Sequence, residues 1–406
     1  MILTLFLLSC VQKKNDVTLN EGYPVKQLTD SIKIQFDSLV NNSYLKEDSG
    51  MVAMAVYLKR GDEILVDTNY FFSNSNNPLP NDSTIFQMGS VTKTFTAALI
   101  ARQVNLGKME LSGLAKTYLP IGGTVPVPMI PDNFNGQQVS ITLGNLTTMN
   151  AGLQRNVPID KSTKNTPYLY AFNKYLDKNP PLLFKPGSTC NIYSNLGFGI
   201  LGLVACLQAY PNSITYYNNY EQVIVDSLLK QLAMNDTRIT LNASQMKRRA
   251  LPYGPDKLPA SYDNPNWPFN LAAGGLYSTL RDMRLYANEM IGQGNYLTQK
   301  DIDTLLKVRA HVYKDTCQVP NGKPAAGQGM AWVINSGMQV GNNTAFDRYS
   351  KDGGLEGFST FITFSKPVIN GVQYKAYVVL WANRQGFPGI QSNTAKVMQL
   401  TYNLAK

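Results

Sequence analysis

Apolar residues at Ile32, Ile34, Phe36, Leu39 and Val40 have helical spacing, which predicts a helix over Asp30 to Lys46. The pattern then switches. Met51-Val-Ala-Met-Ala-Val-Tyr-Leu58 is an unbroken apolar run, and Arg60-Gly61-Asp62 turns the chain into Glu63-Ile-Leu-Val66, so a β-hairpin is expected. From about residue 90 to 310 helical spacing dominates, interrupted by Pro/Gly/Asn-rich loops at 120–139 and 251–270. Strand-like runs return at 330–335, 358–364 and 374–382. A final amphipathic helix follows through Lys396, Val397, Leu400 and Leu404. Strands at both chain ends with helices between them predict an α/β (α+β) fold: one sheet completed by both termini and a helical lobe inserted. The sheet lobe is expected over about 29–85 and 325–406, and the helical lobe over about 86–324. No internal repeat or low-complexity tract breaks this plan.

The first ten residues, MILTLFLLSC, are too short for a membrane span, which takes about 20 residues, but suit the apolar core of a secretory signal. A small residue before Cys10 at the end of such a run resembles a bacterial lipobox. That resemblance implies a signal segment at 1–9 and lipidation of Cys10. No Lys or Arg precedes the run, which departs from the signal pattern and leaves open a start further upstream. Residues 10–28 are polar and aperiodic, as expected of a tether.

Composition narrows the chemistry. Among 406 residues there is one His and there are four Cys. A zinc site built on several imidazoles is excluded, and the Cys are too scattered to replace them. A Ser-His-Asp triad would have to use His311, yet the chain has no G-x-S-x-G elbow. A hydrolase built on this sequence therefore needs a base other than histidine. The net charge of +10 is spread along the chain without a basic block, which argues against nucleic acid and fits an anionic surface or acidic substrates. Cys190, Cys206 and Cys317 remain after Cys10 and allow one disulfide, with the pair left open.

Lysine can serve as the base, and Ser-x-x-Lys puts hydroxyl and amine on one helix face. The pattern occurs at Ser43–Lys46, Ser90–Lys93, Ser227–Lys230 and Ser244–Lys247. Only Ser90 follows a glycine and opens a mostly apolar helix, Val91 to Ile100, so its hydroxyl lies at a helix N-terminus that favours negative charge. The other three lie in polar or Lys/Arg-flanked stretches and are expected on solvated faces. Further along, Tyr193-Ser194-Asn195 precedes a Gly-rich helical run from Leu196 to Gly202. Near the end, Lys351-Asp352-Gly353-Gly354 precedes the strand-like Phe358-Ser359-Thr360-Phe361. A cation followed by glycines at the start of a strand can bring backbone N–H groups close to a ligand.

In this order and spacing, Ser90-x-x-Lys93, Tyr193-x-Asn195 and Lys351-x-Gly353 resemble the three motifs of the serine β-lactamase and penicillin-binding-protein superfamily. The Tyr-x-Asn form points to its class C-like branch, which includes D-Ala-D-Ala carboxypeptidases, D-amino-acid peptidases and esterases. Flanking text agrees at Leu106-Gly107-Lys108-Met109, at Asn150-Ala151-Gly152-Leu153 and at Ala273-Gly274-Gly275-Leu276. The resemblance implies a β-lactamase/transpeptidase-like fold with an antiparallel sheet flanked by helices. It implies an exported enzyme of the cell envelope that forms an acyl-enzyme on small-molecule or peptide substrates. No cofactor, metal or nucleic acid is implied, and membrane contact comes only through the lipid anchor. Ser90 would be the nucleophile, with Lys93 and Tyr193 moving protons; which of the two is the general base stays open. Asn195, Lys351 and Gly353 would hold the substrate, and the backbone N–H groups of Ser90 and Gly354 would form the oxyanion hole. For Lys93 to act as a base near neutrality, its surroundings must lower a pKa of about 10.4 by roughly 4–5 kcal/mol.

Two departures bear on the substrate. Asp352 stands where the family's β-lactamases have Thr or Ser, so a second carboxylate there would be repelled unless Lys351 or Arg384 offsets it. Met149-Asn150-Ala151-Gly152-Leu153 replaces a His-Thr-x-Gly-Leu loop, a change expected to be structural. Peptidase, β-lactamase and esterase activities all remain open, as does a silent envelope receptor for peptidoglycan or acyl ligands.

Overall fold

The computed structural model describes residues 13–14, 23–42, 50–74, 77–119, 130–156, 176, 178–210, 216–254, 271–312, 326–340, 344–355, 357–386 and 390–404. In chain order the strands are β1 (Lys13–Lys14), β2 (Met51–Arg60), β3 (Glu63–Ser73), β4 (Ile85–Gln87), β5 (Asn133–Phe134), β6 (Gln137–Gln138) and β7 (Tyr277–Thr279). They continue with β8 (Ala310–Val312), β9 (Ala326–Gln328), β10 (Val333–Val340), β11 (Thr344–Leu355), β12 (Phe358–Ser365), β13 (Val368–Ile369) and β14 (Val372–Ala382). One antiparallel sheet runs β1-β3-β2-β14-β12-β11-β10-β9-β8, with β13 hung on β14. The first hairpin thus meets the last strand, Met54 opposite Leu380 and Tyr57 opposite Tyr377, and the sheet is completed from both ends as the pattern predicts.

The unbroken apolar run of β2 follows from burial on both faces. Val52, Met54, Val56 and Leu58 face one core, which they share with Leu28, Ile32 and Phe36 of helix Tyr23–Asn42 and with Val397, Met398 and Tyr402 of helix Ile390–Leu404. Ala53, Ala55 and Tyr57 face the other core, under the helices that fill the middle of the chain. A strand with one wet face would have alternated.

Two expectations are corrected. The polar stretch predicts a tether to residue 28, but the first helix begins at Tyr23, and Leu28 is 1% exposed. Leu28 extends the Ile32–Phe36 stripe by one four-residue step, and Pro24 is tolerated in a first helical turn. Lys13 and Lys14, within the same stretch, pair with Tyr70 and Asn69 on the edge of the sheet. Cys10, Cys317 and the signal segment lie outside the described residues. The second correction concerns Lys351 to Gly354, expected just ahead of a strand. They lie inside β11, where Lys351 pairs with Ile362 and Gly353 with Thr360. Two adjacent glycines mask a strand in sequence because they contribute no side-chain pattern.

Candidate active site

Ser90 sits where the helical part of the chain packs on strand β11, on one face of the sheet. β4 pairs with β7 and ends at Gln87, and the chain then turns through Gly89 at φ +50° into a short 3-10 turn, Gly89–Val91, that feeds helix Thr92–Asn105. Glycine is needed here twice over, for the left-handed backbone and because Gly354 of β11 packs against the position a Cβ would take, 3.0 Å from Gly354 N. This helix is buried from Thr92 to Ala101, so its threonines need partners. Thr94 donates to Val91 O, Thr96 to Ala272 O, and Thr92 Oγ1 accepts from Leu276 N.

Lys93 lies one turn on from Ser90 and is fully buried. Its Nζ donates to Asn195 Oδ1 at 2.7 Å, to Ala273 O at 2.7 Å and to Ser90 Oγ at 3.2 Å. As an ammonium it therefore has three acceptors for three protons. A neutral amine would keep the two short bonds and turn its lone pair to Ser90, the longest of the three contacts. Burial pulls Lys93 down to about 8; nearby Tyr193 opposes the shift and the Lys351 cation reinforces it.

The second motif is held by the start of another helix. Ser194 caps helix Asn195–Ala209, accepting from Gly197 N, and donates to Gln154 O at 2.8 Å. Asn195 N donates to Arg155 O at 2.8 Å, while Asn195 Nδ2 donates to Asn156 Oδ1 at 2.7 Å. Tyr193 is thereby set between cations. Lys93 Nζ is 4.7 Å, Arg155 Cζ 4.9 Å and Lys351 Nζ 5.2 Å from its ring centroid. Among the described residues its buried hydroxyl has no partner in hydrogen-bond geometry, although Lys93 and Ser90 lie near enough to favour the phenolate. Burial would raise the phenol, but Lys351 and Lys93 outweigh it and lower its pKa below the ordinary value.

Lys351, 3% exposed, donates to Asp352 Oδ1 at 3.0 Å. Burial alone would lower this lysine, yet Tyr193 and Asp352 together hold it above its ordinary value. The Lys351 cation in turn draws the Asp352 carboxyl down. Of the two offsets expected for Asp352, the structure shows the Lys351 ion pair, while the Arg384 backbone carbonyl accepts from Ser359 on the neighbouring strand. Gly353 has no room for a side chain: a Cβ there would meet Met88 O and Thr360 Oγ1. Gly353→Ala is expected to destabilise the protein by about 1–3 kcal/mol through overpacking. Thermal and urea unfolding measure this, and an unchanged midpoint would show that the two strands are free to part.

All three motifs thus meet around Ser90. The other Ser-x-x-Lys pairs do not share this setting. Ser244 and Lys247 are exposed, Lys230 is exposed and paired with Asp226, and Ser43–Lys46 lies outside the described residues. His311 is on strand β8, away from the motif residues in the fold. Asn150 has a structural task, its Nδ2 bonding Ser188 O and Cys190 O, which fixes the loop ahead of Tyr193. Cys190 is disulfide-bonded and Cys206 is a buried free thiol. Sequence reasoning missed three participants: Ala273 O, Asn156 and Arg155. Ala273 opens the Ala273-Gly274-Gly275-Leu276 stretch but acts through its carbonyl, and the loop 154–156 reaches the site only by returning to the start of a distant helix.

The Beta-lactamase family model matches residues 41–402. The chain is 26% identical over 321 residues to the D-alanyl-D-alanine-carboxypeptidase/endopeptidase AmpH of Escherichia coli (strain K12), covering 77% of this chain and 76% of that one. Among solved structures it is similar to a beta-lactamase/D-alanine carboxypeptidase from Yersinia pestis, with TM-score 0.65, 21% identity, and 92% and 99% of the two chains covered. It is likewise similar to a class C beta-lactamase, with TM-score 0.66, 20% identity, and 93% and 96% covered.

Proposed function

The chain belongs to the Beta-lactamase family, has the β-lactamase/transpeptidase-like fold and is a serine hydrolase; from that premise we propose that it cleaves peptide-like amides through an acyl-enzyme on Ser90. The observation that carries this reading is the contact of Lys93 Nζ with Ser90 Oγ inside a buried polar cluster. Ser90 Oγ attacks the carbonyl carbon as its proton passes to neutral Lys93, or to Tyr193 in its phenolate form. The negative charge that develops on the carbonyl oxygen is met by the N–H groups of Ser90 and Gly354, each worth about 3–4 kcal/mol in sites of this kind. Tyr193 returns the proton to the leaving nitrogen, helped by Lys351, and water then releases the acyl group by the reverse path. Asn195 fixes Lys93 through its Oδ1, while its Nδ2 is held by Asn156.

The similarity to a D-alanyl-D-alanine-carboxypeptidase/endopeptidase supports a cell-wall peptide as substrate. Asp352 favours a second reading, hydrolysis of esters without a carboxylate beside Lys351, because its own carboxylate already occupies that cation. The apolar run ending in Cys10 supports export and a lipid anchor in the cell envelope. Turnover of a D-Ala-D-Ala peptide, nitrocefin and a short-chain nitrophenyl ester separates these activities. The peptide is expected to be cleaved fastest relative to its uncatalysed rate, and a protein that acylates with none of the three is no hydrolase of this kind.

A further inference from the structure

Three cations surround the Tyr193 ring, and two of them have partners. Lys93 is hydrogen-bonded to Ser90, Asn195 and Ala273, and Lys351 to Asp352. Arg155 is exposed, and its guanidinium has no ion-pair or hydrogen-bond partner among the described residues. Its position is nevertheless fixed. The Arg155 carbonyl accepts from the N–H groups of Asn195 and Leu196, tying it to the start of helix Asn195–Ala209, while the guanidinium lies against the Tyr193 ring. A planar fork held on an aromatic face keeps its outward N–H donors free for a carboxylate, at a smaller ordering cost than a free side chain.

The third motif points the same way. Asp352 is exposed at the mouth of the site and engages Lys351, so a substrate carboxylate brought to that lysine would meet a like charge. Negative charge on the substrate is excluded there and is matched on the Arg155 side. Resting on the acyl-transfer reading above, we propose that Arg155 is a specificity-determining residue that binds a carboxylate of the substrate. It makes no covalent bond and carries no proton in the reaction.

Two matched ester pairs test this on the full chain. In p-nitrophenyl butyrate against p-nitrophenyl hemisuccinate the carboxylate is on the acyl side; in phenyl acetate against 3-carboxyphenyl acetate it is on the leaving group. For at least one pair, Arg155→Gln is expected to lower the carboxylated-to-neutral ratio of kcat/KM by about 10-fold or more, the scale of a lost charge-assisted hydrogen bond. The loss is expected in KM, with Arg155→Lys recovering part of it and added salt weakening the wild-type preference. If Arg155→Gln leaves both ratios unchanged while Ser90 is still acylated, the Arg155 assignment alone is overturned. If neither these esters nor the D-Ala-D-Ala peptide acylates Ser90, the acyl-transfer reading falls and the assignment falls with it; if the peptide alone acylates it, an unchanged kcat/KM of Arg155→Gln on that peptide overturns the assignment.

Discussion

Ser90→Ala is expected to abolish covalent labelling by a fluorescent penicillin or a fluorophosphonate and to lower turnover by about 10⁴-fold or more. The expectation follows from bond-making: without Oγ no acyl-enzyme can form, and Lys93 has no proton to accept. The fold should be little changed. Ser90 is only half-buried and offers its hydroxyl to Lys93 at 3.2 Å, the weakest of that lysine's three bonds. Stability should therefore stay within about 1 kcal/mol of the parent. Labelling that persists in the variant would move the nucleophile elsewhere and remove the basis of the mechanism.

The second large effect concerns Lys93. If its neutral amine is the base, the acylation rate rises with pH up to about 8 and levels off above, because the ammonium must lose its proton first. Lys93→Arg cannot lose a proton in this range and should be slower by about 10³-fold with no inflection there. Tyr193→Phe separates the two candidate bases: the inflection persists, moved below about 8 by loss of the phenol that props Lys93 up, if Lys93 is the base, and disappears if the phenolate is. The same residue ties stability to pH. Its pKa falls from 10.5 in the unfolded chain to about 8 in the folded one, so between these values the unfolded state binds more protons. Stability from this group therefore rises as pH goes from 8 to 10.5, and below 8 the buried ammonium costs on the order of 3 kcal/mol. Lys93→Met should lose that pH dependence, which denaturant unfolding at pH 7 and 10 measures. An identical slope in both proteins would show that the lysine is not desolvated.

Much of this site was legible because its parts are local. Ser90 and Lys93 are one helical turn apart, and the apolar run around them announces a buried helix. Tyr193-x-Asn195 and Lys351-x-Gly353 are short enough to read, although each is uninformative alone and gains meaning only from its order in the chain. The hairpin 51–66 and the strands near 358–364 and 374–382 follow from continuous apolar runs. What stayed hidden depends on tertiary return. The strand that contains Gly353 and Gly354 has no side-chain pattern at its working end, and its position is set by packing against Met88 and Thr360. The sequence-derived requirement on Lys93 was nearer 7 than the value of about 8 found, because the phenol beside it partly offsets the burial. Arg155 carries no motif at all, and its carbonyl's bonds to Asn195 and Leu196, with its packing on the Tyr193 ring, bring it to the site.

The way β2 meets β14 has a consequence in time. Met51 N bonds Asn383 Oδ1 332 residues away, and Thr360 Oγ1 bonds Met88 O across 272. Contacts of such high order form late and slowly, since a long loop must close before either bond can form. During synthesis the hairpin β2–β3 emerges first and waits with an open edge until the last strand arrives. Such an edge invites pairing with other chains. The turn that carries Ser90 likewise has no β11 to rest on until nearly the whole chain exists. Ser90 is therefore expected to stay silent toward an acylating probe in any chain that ends before β11, and its labelling would report that this strand has docked.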